Sequence, residues 1–125
     1  MFTPQTTCLI VEDQSLIALS MESSFEDDGL ACATVGSSAE AMAWLEENTP
    51  SVAILDYKLK DGSCAALAEA LRARGVPFLI YSGYPAQAAC AELRGVPWIG
   101  KPAARATLLK AVADLATPAD VRSEA

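Results

Sequence analysis

Residues 52–56 read VAILD, four apolar residues followed directly by a carboxylate. An apolar run without polar alternation predicts a strand that is buried on both faces, as in the centre of a parallel sheet. Asp56 therefore stands where that strand ends. Because open α/β sheets hold their ligand sites at the carboxyl ends of the strands, Asp56 is a candidate functional residue.

Three other apolar runs end on polar residues in the same way. They are CLIV at 8–11 before Glu12 and Asp13, FLIY at 78–81 before Ser82, and VPWIG at 96–100 before Lys101. If the four runs are neighbouring parallel strands, their carboxyl ends meet along one edge of the sheet. Three carboxylates, one hydroxyl group and one lysine would then share a pocket.

The apolar runs alternate with helical patterns, which is typical of βα units built around a parallel sheet. The predicted strands are residues 7–11, 30–35, 51–55, 77–81 and a strand from 96, and the predicted helices are residues 16–28, 38–47, 64–74, 86–93 and 105–115. The predicted face of the first helix that turns toward the sheet consists of Leu16, Ile17, Leu19, Ser20, Met21 and Phe25. Pro97 cannot donate to a ladder, which predicts an edge position for the last strand.

The composition fits one globular domain and excludes several classes of function. The chain has 125 residues, of which 52% are hydrophobic, and its net charge of −7 argues against a nucleic-acid binder. No apolar stretch reaches the length of a membrane span, and residues 1–7 carry no basic residue, so we expect a cytoplasmic protein without a signal peptide. The four cysteines are scattered without a C-x-x-C pair, and histidine is absent, which excludes a Cys/His zinc site. The absence of histidine also excludes a catalytic Ser-His pair. We expect the cysteines to be reduced thiols.

The three carboxylates predict a metal site. Glu12, Asp13 and Asp56 would repel one another at adjacent strand ends, and a divalent cation such as Mg²⁺ would offset that repulsion. Glu12 and Asp13 could instead be anions at the N-terminus of the first helix. Lys101 is the natural counter-charge, although a single lysine is more often at the surface, and Ser82 before a glycine is also ordinary turn chemistry.

These motifs resemble the receiver domain of two-component response regulators over nearly the whole chain. The resemblance rests on the acidic pair Glu12-Asp13, on Asp56, on Ser82 and on Lys101-Pro102. It implies a doubly wound, five-stranded parallel sheet of order 2-1-3-4-5, flanked by five helices. We assign residues 1–118 to this domain and residues 119–125 to a polar tail.

The resemblance also implies the chemistry of the acidic site. Asp56 would be the phosphoacceptor, taking its phosphoryl group from a histidine kinase or a histidine phosphotransfer protein. Asp13 and Asp56 would bind Mg²⁺ together with the backbone carbonyl of Lys58, and Glu12 would act through water.

The remaining motif residues would form the switch. Lys101 would pair with phosphoryl oxygens and the Ser82 hydroxyl would bond one of them. Trp98 stands where the family usually has a tyrosine or phenylalanine that turns as the hydroxyl moves. Because tryptophan is larger and has a different polar group, the switching role of Trp98 is the point at which this sequence departs from the family.

Residues 76–84, VPFLIYSGY, resemble a subgroup of stand-alone receivers with a Pro-Phe-x-x-x-Thr-Gly-Tyr signature from alphaproteobacterial signalling. We therefore expect a single-domain regulator, a monomer that can dimerise when phosphorylated. Its expected output is protein contact through the fourth helix, the fifth strand and the fifth helix, residues 86–115, with Tyr84 and Trp98 as anchors, or onward phosphotransfer. Two alternatives remain open: a Mg²⁺-dependent phosphatase or phosphotransferase with an aspartyl nucleophile, and a degenerate receiver that binds partners without phosphate.

Overall fold

The computed structural model of the protein describes residues 2–86 and 93–116, and within them four helices and seven strands are assigned. The strands are β1 (Thr7–Val11), β2 (Ala31–Val35), β3 (Val52–Leu55), β4 (Lys58–Leu59), β5 (Gly62–Ser63), β6 (Phe78–Ser82) and β7 (Trp98–Gly100). The helices are α1 (Ser15–Asp27), α2 (Ser38–Leu45), α3 (Ala65–Ala73) and α4 (Arg105–Ala116).

Five of the strands form one parallel sheet in the order β2-β1-β3-β6-β7. This order confirms the predicted doubly wound sheet. The strand β3 lies at the centre of the sheet and all four of its residues are buried, as its uniformly apolar sequence indicates. The strand β7, which follows Pro97, lies at an edge. The short strands β4 and β5 pair antiparallel between the predicted strand 51–55 and the predicted helix 64–74, where the sequence predicted neither a strand nor a helix.

Alternate residues of the central strands supply two apolar layers, one on each face of the sheet. Leu9 and Leu55 point to the face covered by α2 and α3, where Leu71 is fully buried. The other face is covered by α1 and α4, and Ile10 packs there with Phe25 and other buried side chains. Because both faces are covered, the strands can be apolar throughout, and the polar site residues are confined to their ends.

The predicted apolar face of the first helix is partly wrong. Met21 and Phe25 are buried, but Leu16 is 83% exposed and Leu19 is 59% exposed. Leu16 precedes Phe25 by about 2.5 helical turns, so the two side chains lie on opposite sides of α1. The small side chain of Ala18 takes the buried position instead. Counting apolar residues alone made the buried face too wide, because with 3.6 residues per turn only part of the helix circumference can face the sheet.

The structure tests the predicted elements only where it describes them. Most of the predicted fourth helix, residues 87–92, lies outside the described residues, as does the predicted tail at 119–125. Among the helices in the described part of the chain, none combines the length and the apolar character needed to cross a bilayer.

Candidate functional site

The register of the sheet brings the predicted site residues to one edge. Val11 pairs with Leu55, so Glu12 and Asp56 follow at neighbouring strand ends, and the Asp56 backbone N–H donates to the Val11 carbonyl at 3.0 Å. On the other side, the Lys101 backbone N–H donates to the Ser82 carbonyl at 3.0 Å. Main-chain hydrogen bonds thus tie the end of β1 to that of β3 and the end of β6 to that of β7, and the pairing of Leu55 with Ile80 joins the two pairs of strands.

The three predicted metal ligands form one cluster. Glu12, Asp13 and Asp56 each offer a carboxylate oxygen, and these oxygens lie within 4.8 Å of one another. Glu12 and Asp56 are buried and Asp13 is half-buried. Since α1 has Gln14 as its N-cap, without a side-chain capping bond, Asp13 does not cap this helix. Glu12 does accept a hydrogen bond from the Gln14 backbone N–H at 3.1 Å, which holds its carboxylate in place.

Lys101 lies inside the acidic cluster. Its Nζ donates to Glu12 Oε1 at 2.5 Å and to Asp56 Oδ2 at 3.1 Å, and only 17% of its side chain is exposed. This position favours the counter-charge interpretation over that of a surface lysine. The peptide bond from Lys101 to Pro102 is cis.

The charges around Lys101 change two pKa values. Burial alone would lower the pKa of Lys101, but its hydrogen bonds to Glu12 and Asp56 outweigh burial, so the pKa is raised. Burial raises the pKa of Glu12, and the opposing hydrogen bonds from Lys101 and Gln14 do not cancel that effect. The cluster therefore keeps the ammonium group charged and makes the Glu12 carboxylate easier to protonate.

Ser82 is fully buried at the end of β6, and its Oγ accepts a hydrogen bond from the Tyr84 backbone N–H at 3.2 Å. That bond is the ordinary turn chemistry considered for the sequence, and it also orients the hydroxyl group at the carboxyl edge. Among the described residues, apart from Gly83 and its two chain neighbours, no atom lies within 4 Å of a Cβ added at Gly83, so the backbone beside Ser82 is open on this side.

Three aromatic rings cluster next to the acidic residues. The Trp98 ring centroid lies 5.4 Å from that of Tyr57, and the Tyr57 and Tyr84 centroids are 6.0 Å apart. The Trp98 indole Nε1–H donates to the Tyr84 carbonyl at 2.9 Å, and Lys58 Nζ lies 5.9 Å from the Tyr84 ring centroid. Trp98 is half-buried and Tyr84 is 49% exposed. Tyr57 was not among the residues predicted for the site, although an aromatic residue directly after Asp56 was the available signal.

The donor set fits Mg²⁺. This ion prefers a few carboxylate or carbonyl oxygens and retains part of its water shell, and the Glu12, Asp13 and Asp56 oxygens offer that kind of ligand. In the described part of the chain, histidine and cysteine are not part of this cluster, so a softer metal is not favoured.

The comparisons with known proteins identify the family. The response regulator receiver domain matches residues 8–113, and the chain belongs to this family. The solution structure of SdrG from Sphingomonas melonis Fr1 is 34% identical, covers 93% of this chain and 100% of its own, and has a TM-score of 0.77. No curated protein sequence matches this chain.

Two further solved structures support the fold. A CheY-like receiver domain protein from Methanospirillum hungatei JF-1 is 25% identical over 89% of this chain and 93% of its own, with a TM-score of 0.77. A receiver protein from Sinorhizobium medicae WSM419 is 23% identical over 89% of this chain and 94% of its own, with a TM-score of 0.81. The chain is thus a receiver domain of two-component signalling, a family of signalling modules with an acidic Mg²⁺ pocket and histidine kinase or phosphotransfer partners.

Proposed function

We propose that this receiver domain accepts a phosphoryl group on Asp56 from a phosphohistidine of a partner histidine kinase or histidine phosphotransfer protein. It then signals through contact with another protein or through onward phosphotransfer. Such partners are cytoplasmic, so we place the chain in the cytoplasm, and we assign it neither a nucleic-acid nor a membrane ligand. The proposed role is that of a switch and not of an enzyme.

The observation that carries this proposal is the position of Lys101 Nζ, between Glu12 Oε1 at 2.5 Å and Asp56 Oδ2 at 3.1 Å. A structural ion pair needs one carboxylate, whereas this ammonium group meets two, and a third carboxylate from Asp13 stands beside them. The excess of negative charge around Asp56 calls for a further cation. The same ammonium group is placed to meet new negative charge on Asp56.

The proposed reaction is a displacement at phosphorus. An Asp56 carboxylate oxygen bonds to phosphorus as the bond from phosphorus to the donor imidazole nitrogen breaks, and the electron pair of that bond stays on the imidazole nitrogen. Phosphoryl transfer of this kind depends on positioning and charge neutralisation more than on covalent help from the protein. The Asp56 main-chain bond to Val11 supplies the positioning, and Lys101 supplies part of the neutralisation.

Glu12, Asp13, Asp56 and the backbone carbonyl of Lys58 are the groups that would hold Mg²⁺. Bound there, the ion offsets negative charge on the carboxylates and on the phosphoryl oxygens. Glu12 is the member that also bonds Lys101 and the Gln14 backbone, so its role is to position as well as to attract a cation.

The proposed response begins at Ser82 and Lys101, which bond the new phosphoryl oxygens. Ser82 Oγ already bonds the Tyr84 backbone, and the Tyr84 carbonyl already bonds Trp98. A change at the Ser82 hydroxyl therefore reaches Trp98 through two hydrogen bonds. We propose that the surface around Tyr84, β7 and α4 transmits this change to a protein partner.

The test uses Mg²⁺ and a small phosphodonor such as an acyl phosphate. We expect the intact mass to increase by one phosphoryl group, and the adduct to need Mg²⁺ and to be labile in alkali, as an acyl phosphate is. Continuous turnover of a phosphoester would instead favour the enzyme. Failure to react with any donor, with a folded protein and Mg²⁺ present, would favour the degenerate receiver.

A further inference from the structure

Two cysteines stand side by side in the parallel pair formed by β1 and β2. Cys8 of β1 is the register partner of Cys32 of β2. Partners in neighbouring parallel strands point to the same face of the sheet, because the pleats of the two strands coincide. Both residues belong to the apolar layer on the α1 and α4 face, with Cys8 fully buried and Cys32 at its margin, half-buried.

The spacing of the two residues suits a disulfide bond. Neighbouring strands lie about 4.7–4.9 Å apart, and disulfides join Cα atoms about 4.4–6.8 Å apart. Among the strands in residues 2–86 and 93–116, β2 lies at the edge of the sheet and pairs only with β1, so it has more freedom to adjust than a central strand. Cys8 and Cys32 are both free thiols in this structure.

The neighbouring Cys32 thiol also affects the acidity of Cys8. A hydrogen bond with the Cys32 side chain, and then burial, raise the pKa of Cys8 well above its usual value. Cys32 Sγ donates in addition to the Leu30 carbonyl at 3.4 Å. Of the two thiols, Cys32 is the more exposed, and it is the one that a dissolved oxidant meets first.

We propose that Cys8 and Cys32 form a reversible oxidation site, in which a peroxide links the two strands through an intramolecular disulfide bond. Cys32 first transfers an electron pair from sulfur to hydrogen peroxide, which gives a sulfenic acid on Cys32 and one water molecule. The Cys8 sulfur then bonds to the Cys32 sulfur, and the hydroxyl group leaves with the Cys8 proton as a second water molecule. Proximity offsets the low thiolate content of Cys8.

This modification would tie an edge strand to the strand that carries the acidic pair. At the other end of the same strand pair, the Glu12 backbone N–H donates to the Val35 carbonyl at 3.0 Å. A bond between Cys8 and Cys32 would close a covalent loop of chain that contains α1, and it would restrict the movement of β2. The proposal stands on the strand register and on the apolar layer that the two cysteines share, and it does not depend on phosphorylation of Asp56.

The test is peptide mapping of the full chain after treatment with hydrogen peroxide under native conditions, followed by alkylation of the remaining thiols. Lysine and arginine are absent from residues 1–57, so trypsin leaves both cysteines in one peptide, whereas cleavage after glutamate separates residues 1–12 from residues 27–40. We expect these two peptides to remain joined, with a mass lower than their sum by two hydrogens. A dithiol reductant should separate them.

Variants of the cysteines provide the controls. Cys32→Ser should remove the link and leave Cys8 reduced, while Cys64→Ser, a change on the opposite face of the sheet, should keep the link. In Cys8→Ala, which needs no hydrogen-bond partner in the apolar layer, the Cys32 sulfenic acid should persist and react with dimedone. Oxidation of Cys32 to a sulfinic acid beside reduced Cys8, a disulfide between two copies, or unreacted Cys8 and Cys32 would each overturn the proposal.

Discussion

At the scale of single residues, the site is defined by Lys101 and the two carboxylates that its ammonium group bonds. The hydrogen bonds with Glu12 and Asp56 raise the pKa of Lys101 in spite of its burial, so the Lys101 side chain stays positively charged at any physiological pH. Burial raises the pKa of Glu12 more than its hydrogen bonds lower it, so the charged form of this carboxylate is disfavoured. A charged Glu12 therefore depends on Lys101 or on a bound cation.

This balance predicts a pH dependence of stability in the metal-free protein. The pKa of Glu12 in the folded chain is raised above its ordinary value of 4.5, so the folded state binds more protons than the unfolded state between pH 4.5 and the raised pKa. The contribution of Glu12 to stability is thus present below pH 4.5 and is lost as the pH rises through that interval. Urea unfolding of wild type and Glu12→Gln over this range should give a difference that declines as pH rises. A difference that grows with pH would contradict the assignment.

At the scale of elements, the strand ends were readable from the sequence because each strand is apolar and stops at a polar residue. Asp56 and Lys101 can each be recognised locally, as the polar residue that follows an apolar strand. The parallel register then brings the ends of these strands, and so the two side chains, close together. The error at Leu16 had a different origin, since which side of α1 faces the sheet depends on packing against the sheet and not on apolar content. The β4 and β5 pair involves only two residues per strand, too few for a sequence pattern.

The aromatic cluster shows what a sequence cannot supply. The identity of Trp98 was clear, but its hydrogen bond to the Tyr84 carbonyl and its contact with Tyr57 depend on how the loops after β3 and β6 approach each other. The indole N–H has no counterpart in phenylalanine. Trp98 is therefore connected to the neighbours of both Asp56 and Ser82 through ring contacts and one hydrogen bond, and its motion stays a prediction.

We expect Trp98 to report on the site. In Trp44→Phe, which leaves Trp98 as the only tryptophan, the fluorescence should change when Mg²⁺ and beryllofluoride are added together, because Tyr57 and Tyr84 move relative to the indole. In Trp98→Phe, Trp44 on α2 should show little change. Unchanged Trp98 emission, with beryllofluoride binding established by calorimetry, would show that the signal does not pass through this ring.

At the scale of the whole molecule, the residues that stabilise the fold and the residues of the candidate site occupy different parts of the sheet. The two apolar layers lie between the sheet and its helices, while the carboxylates collect at the carboxyl edge, outside both layers. The net charge of −7 adds a long-range attraction for cations to the local one. The order of the strands and the family followed from the sequence, whereas the stand-alone role and the partner stay predictions.

Mg²⁺ should stabilise the folded chain as a whole. A ligand that binds only the folded state at about a hundred times its Kd raises the free energy of unfolding by about 2.7 kcal/mol. We expect the thermal midpoint to rise with Mg²⁺ concentration and to saturate. Asp13→Asn should reduce this shift strongly, while Asp27→Asn, an exposed change on α1, should keep it. An equal shift in Asp13→Asn and wild type would contradict a metal site at the acidic cluster.

The central claim is that Asp56 is the phosphoacceptor, and it is tested most directly by intact-mass measurement after reaction with Mg²⁺ and an acyl phosphate. Asp56→Asn preserves the size of the side chain and removes the nucleophilic carboxylate, and Asp61→Asn makes the same chemical change at an exposed aspartate five residues later. We predict one added phosphoryl group in wild type and in Asp61→Asn, and none in a folded Asp56→Asn. Alkali-labile phosphorylation of Asp56→Asn to the wild-type extent would contradict the account.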